Sequence, residues 1–173
     1  MSAHESFWDY SCRAYALPGV STLCLRLQNE HGQDVNMLLF AAWFARTRGE
    51  LTDPPLQQAL AFSQNWAGAV VRPLRGARRW LKEKLEDLSP ISMLERDGMQ
   101  ELRTQIKALE LRTEQYQQTH LEALVGNAAT ALTDEQRHHA MSVNLQRVAS
   151  CYAPPSPALQ EALNALCSAL ASA

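Results

Sequence analysis

Nine consecutive apolar residues, Met37-Leu-Leu-Phe-Ala-Ala-Trp-Phe-Ala45, constrain this chain more than any other stretch. Most are good helix formers, and the run contains no β-branched residue. A helix that is apolar all round must be covered all round. At about 1.5 Å per residue the run spans roughly 14 Å, far short of the ~20 residues needed to cross a bilayer. It therefore reads as the buried central helix, residues 35–48, of an all-α helical bundle. Asp34 is placed to cap it. Arg46 and Arg48 sit in its last turn, where positive charge suits the helix dipole, and Gly49 stops it.

The aromatic residues place the dense core. Ten of the twelve lie in the first 80 residues, and only Tyr116 and Tyr152 follow. Aromatics bury the most area per residue, so residues 1–88 form the aromatic-rich core of a single helical domain over 1–153. Within it, residues 4–15 read as a first helix carrying Phe7, Tyr10 and Ala14. Ser21 is the expected N-cap of a second helix bearing Leu23, Cys24, Leu25 and Leu27, and Gly32 closes it. Thr52-Asp53-Pro54-Pro55 starts a fourth helix. Pro73 predicts a kink or break near Arg72, after which a basic helix runs over 73–87 with Leu74, Ala77, Trp80, Leu81 and Leu85 facing inward.

Residues 89–153 predict a second arrangement. Ser89-Pro90 caps a short segment, and Asp97-Gly98 marks a fresh helix start. Met99, Leu102, Ile106, Leu109, Thr113, Tyr116, His120 and Ala123 then recur at alternating spacings of three and four, a heptad seam on a helix over 98–125. Thr133-Asp134-Glu135-Gln136 is a capping box opening a helix over 134–152, with His138, Met141, Leu145, Val148 and Tyr152 in line. Two such seams joined by a short loop predict a long antiparallel helical hairpin, with His120 and His138 at one height. Residues 154–157 are a Pro-rich linker to an amphipathic C-terminal helix (158–173). Its Leu159, Leu163, Leu166 and Leu170 must be covered by its own bundle or by a second copy in a homodimer.

Several chemistries find no support in the residues. Cys12, Cys24, Cys151 and Cys167 lack C-x-x-C or metal spacing. No nucleophile elbow or nucleotide loop is legible, and no cofactor is implied. Isoprenoid-synthase chemistry needs paired acidic motifs, and only Glu83-x-x-x-Asp87 has the spacing. A net charge of −2 gives no reason to expect a general nucleic-acid binder, and no nucleic-acid motif is visible. No apolar segment follows a basic start at the N-terminus, so the expected location is the cytoplasm.

Two candidate sites remain. Between Arg72 and Lys84 six positive residues face one negative, a local charge of +5 in a chain of net −2, so the remainder carries −7. Arg72, Arg75, Arg78, Arg79 and Lys82 are the candidate binding residues, for an acidic protein or a phosphate-bearing partner, since the guanidinium fork matches carboxylate and phosphate. Reversing Arg75 and Arg79 is expected to leave the fold intact. The bland reading is a solvated face. The second site is an apolar helical pocket in the N-terminal half, lined by Asp34, Asn36, Tyr10 and Tyr15, which would make the chain a small-molecule binder or enzyme. A binding or adaptor protein using helix 72–84 is the preferred reading.

The run Phe7-Trp8-x-Tyr10-Ser11, then Tyr15-x-x-Pro18-Gly19-Val20, Cys24-Leu25-x-Leu27-Gln28 and Asp34-Val35-Asn36-x-Leu38-Leu39-Phe40-x-x-Trp43, resembles a proteobacterial family of unknown function. Val70-Val71-Arg72-Pro73-Leu74-Arg75 with Arg78-Arg79 is similar to it as well. The resemblance implies a bacterial, cytoplasmic, helical protein and brings no activity, cofactor or site residue with it.

Overall fold

The computed structural model describes residues 5–87, 93–126 and 130–171. In chain order its elements are α1 (Phe7–Tyr15), α2 (Val20–His31), α3 (Val35–Arg48), α4 (Asp53–Trp66), a π-helical turn (Ala67–Val71), α5 (Arg72–Glu86), α6 (Met93–Val125), α7 (Asp134–Ser150) and α8 (Pro157–Leu170). Among the described residues there is no strand. No helix among them is long and apolar enough to cross a membrane. The chain divides into two compact units, Met1–Leu60 with Gln118–Ala173, and Ala61–Gln117.

The first unit is built on α3. All nine residues from Met37 to Ala45 are buried. Asp34 accepts a hydrogen bond from the Met37 amide, and Gly49, at φ 90°, ends the helix in a conformation that a side chain would strain. Phe7 of α1 packs on Phe40 and Trp43, with ring centres 5.7 and 5.4 Å apart, and Phe44 extends the cluster from Phe40 at 6.0 Å. Trp43 is 1% exposed, and its indole N–H donates to the Glu5 carbonyl at 3.2 Å. Its polar edge is thereby satisfied inside the core.

Helix α7 is the main partner of α3. Fully buried Asn144 fastens the two together. Its Nδ2 donates to the carbonyls of Gly49 (3.0 Å) and Ala41 (3.3 Å), and its Oδ1 accepts from the Leu51 amide at 2.7 Å. One side chain thus satisfies the turn that leaves α3. The expected capping box is present: Thr133 Oγ accepts from the Gln136 amide, and Gln136 Oε1 accepts from the Thr133 amide. Helix α8, capped by Ser156, packs against α2 and α7 and buries Leu159, Leu163, Leu166 and Leu170 within its own chain.

Several expectations change. The long hairpin of 98–125 with 134–152 is not how α7 packs, because its apolar line is taken up by α3 and α8. The shared layer of His120 and His138 loses its geometric basis with it, and His138 is exposed. Helix α2 begins at Val20 after a left-handed Gly19, not behind a Ser21 cap, and Leu25 is 49% exposed. Asp97 and Gly98 start nothing, since α6 runs unbroken through them for 33 residues. A mid-helix Gly costs only about 1 kcal/mol against Ala, too little to stop a helix of that length. The Ser89-Pro90 cap lies outside the described residues.

Candidate interaction surface

The second unit is a helical pair, and Pro73 sets its local geometry. Proline lacks an N–H and crowds the carbonyl four residues back. The chain accommodates it with the π turn just before α5, where the Arg72 amide donates to the Ala67 carbonyl. The predicted interruption is therefore a widened turn, not a break.

From there α5 runs antiparallel to α6. Trp66 Nε1 donates to the Thr113 carbonyl at 3.0 Å, Gln117 to Ser63 at 3.1 Å, and Arg96 reaches the Leu85 carbonyl at 2.9 Å. Midway between lies an ion-pair cluster. Glu110 accepts from Arg75 Nε (3.0 Å) and Arg78 Nε (2.5 Å), while Arg75 Nη2 also donates to Glu114 at 2.8 Å. The Glu110 side chain is 9% exposed. Burial alone would raise its pKa, but the hydrogen bonds from Arg78 and Arg75 outweigh it and hold the carboxyl below its ordinary value.

This cluster divides the five basic candidates. Arg75 and Arg78 are committed inside the unit. Arg72, Arg79 and Lys82 are exposed, and Lys82 lies 3.5 Å from Glu86. Among the described residues Arg72 and Arg79 have no acidic partner. Reversal of Arg75 is no longer expected to be silent, because it would set a new carboxylate beside Glu114 and the buried Glu110. Arg75→Glu should cost ~2–4 kcal/mol, somewhat below the ~3–5 kcal/mol for breaking a fully buried pair because Arg75 is 29% exposed, whereas Arg79→Glu should stay within about 0.5 kcal/mol. Urea midpoints of the two single variants check this. The clue available in sequence was the Glu110/Glu114 pair on one helix and the Arg75/Arg78 pair on another, each at helical spacing.

The inward line of α6 is also rotated from the predicted one. Glu110 and Gln117 are buried, with Ile106 and Thr113 half-buried. Leu102 (52%), Leu109 (47%) and Tyr116 (53%) are open. Polar side chains occupy the inside positions because Arg75, Arg78 and Ser63 are there to meet them. On α5, Leu81 is buried, but Trp80 is 53% exposed and Ala77 is exposed, against the expectation that both face inward.

Of the four N-terminal candidates, three have structural tasks. Asp34 caps α3, Asn36 accepts from Gln118 Nε2 at 2.8 Å, and Tyr10 is fully buried. The Tyr10 ring lies 5.5 Å from the Arg13 guanidinium and 5.9 Å from that of Arg46, and burial pushes its phenol pKa up. Tyr15 is 39% exposed. None of the four lines the grooves found. One, of about 350 Å³, is bounded by Phe44, Arg48, Pro54, Pro55, Gln58 and Leu124. The other, also about 350 Å³, lies along the π turn between Phe62, Trp66, Ala69 and Val70. Among the described residues no cluster of His, Cys, Asp and Glu is arranged to hold a metal ion.

A family model described as "Protein of unknown function (DUF2390)" matches residues 6–121. No curated protein and no solved structure matches the chain significantly.

Proposed function

We propose that this chain, which belongs to the DUF2390 family of proteins of unknown function, is a binding or adaptor protein that presents one face of α5 to an acidic or phosphate-bearing partner. One observation carries the reading. In a chain of net −2, Arg75 and Arg78 are neutralised internally, whereas Arg72 and Arg79, seven residues apart on the same helix, stay exposed without an acidic partner among the described residues. Seven residues make two turns, so the two guanidinium groups share a face about 10 Å apart along the axis. Arginine offers paired donors that fit carboxylate and phosphate oxygens.

The test is capture on immobilised chain, comparing wild type with Arg72→Glu/Arg79→Glu across a salt series. Neither side chain has an acidic partner among the described residues, so the variant should melt within about 1 kcal/mol of wild type. Retention of a docked partner should fall by tenfold or more, and its dependence on salt should flatten. Equal retention of the same partner by both proteins would reject the basic face as its dock.

The competing reading, a small-molecule pocket in the N-terminal half, has its best location in the groove beside Phe44 and Arg48. There Arg48 lies 4.6 Å above the Trp43 ring. An apolar anion copurifying with the protein in native mass spectrometry would favour it.

A further inference from the structure

The face of the helical pair next to the α5 basic strip's far side has the opposite character. On the α4–α5 side, Phe62, Trp66, Val70, Pro73, Ala77 and Trp80 each precede by one residue a side chain that is buried or half-buried, namely Ser63, Ala67, Val71, Leu74, Arg78 and Leu81. On α6, Leu102, Leu109 and Tyr116 stand in the same relation to Arg103, Glu110 and Gln117. In two antiparallel helices, residues one step before the contact line fall on the same side of the pair. The 4.7 Å contact between the Trp66 and Tyr116 rings confirms that the two stripes adjoin. Between them they form one apolar surface, half-buried at Phe62, Trp66 and Val70 and exposed elsewhere, while Arg72, Arg79 and Lys82 follow the contact line and lie on the other side.

We propose that this surface docks on its own equivalent in a second copy of the chain, forming an antiparallel four-helix interface. Three observations select a second copy over another partner. The first is the repeat: Leu102, Leu109 and Tyr116 recur every seven residues, the spacing of a coiled-coil seam. A two-fold axis through Leu109 sets Leu109 against Leu109 and Leu102 against Tyr116 of the copy, which is the self-complementarity an isologous interface requires.

The second is charge. Under the same axis Arg112 comes level with the copy's Ile106, one residue from Gln105, which is hydrogen-bonded to Glu101 at 3.1 Å, so the cation of the α6 stripe lies beside a polar and acidic pair and not its own like. Arg75 and Arg78 both reach Glu110, which puts Ala77 level with Leu109. Trp80 then falls against Pro73 of the copy, toward the open groove along the π turn.

The third is area. Trp80, Leu102, Leu109 and Tyr116 are each about half exposed, and an aromatic side chain buries ~150–250 Å² in full, a leucine somewhat less. With Phe62, Trp66, Val70, Pro73 and Ala77 the surface offers on the order of 600–800 Å² per copy, close to the ~800 Å² per partner of a stable interface. Apolar patches this large are rare on the surface of monomers.

This inference does not rest on the basic face, and the two fail separately. Sedimentation of the full chain should give twice the 19.3 kDa chain mass at micromolar concentration. Leu109→Glu places two carboxylates on the axis and should weaken the dimer at least 100-fold. Circular dichroism should remain unchanged, because Leu109 is 47% exposed. A positional readout accompanies it: in a Cys12→Ser/Cys151→Ser background, Leu109→Cys should give a covalent dimer with a short bismaleimide, and Lys107→Cys on the other side should not. A monomer at 100 µM overturns the proposal. So does a dimer that is indifferent to Leu109→Glu, or one that cross-links equally through both positions.

Discussion

Trp43→Ala is expected to abolish the cooperative melt of the unit built on α3. Trp43 touches Phe7 and Phe40, is 1% exposed, and closes its polar edge on the Glu5 carbonyl. Truncating a buried Trp costs ~3–5 kcal/mol, a large part of the ~5–15 kcal/mol by which domains are stable. The loss compounds here because Phe7 and Phe40 each lose a ring neighbour to the same cavity. Thermal unfolding followed by tryptophan fluorescence and circular dichroism checks it. A midpoint within about 3 °C of wild type would mean that the α3 cluster is not the keystone.

Asn144→Leu is the second large effect, and it acts chiefly through polarity. Leucine keeps the branched, four-heavy-atom outline of asparagine, somewhat bulkier, but leaves the Leu51 amide and the Ala41 and Gly49 carbonyls without their side-chain partner. Each buried group left unpaired costs ~1–3 kcal/mol, so a loss of about 3–5 kcal/mol is expected in urea unfolding. The turn after α3 should also become an early site of proteolysis, because Asn144 is what closes it onto α7. Asn144→Leu with an unchanged urea midpoint would show that water or a shifted backbone replaces those bonds.

These two residues also show how far the sequence could be read. Trp43 was legible because nine apolar residues in a row have only one place to go, and helix start and stop signals around them are local. The caps at Asp34 and Thr133, the stops at Gly32 and Gly49, and the leucine stripe of α8 follow the same local logic. Asn144 was not legible. Its importance comes from meeting a carbonyl 103 residues away and an amide 93 residues away, and nothing in its neighbourhood on α7 announces that.

The heptad on α6 misled for a related reason. Apolar spacing marks a face without saying whether the chain covers it. Here the covered line carries Glu110 and Gln117, whose partners Arg75 and Ser63 lie on another helix, while the leucines stay outside. The basic helix was found in sequence, but its division into committed and exposed arginines required the fold.

Stability resides in the packed aromatic and leucine core of the first unit, and the exposed faces of the α5 and α6 pair are the proposed interaction surfaces. Hydrogen exchange read by mass spectrometry on the full chain, with and without the partner retained through Arg72 and Arg79, tests that division directly. The account predicts slowed exchange over Arg72–Glu86, with α3 and α7 unchanged. Protection that instead appears around Phe44, Arg48 and residues 53–58, with α5 unaffected, would contradict it and place binding in the groove of the first unit.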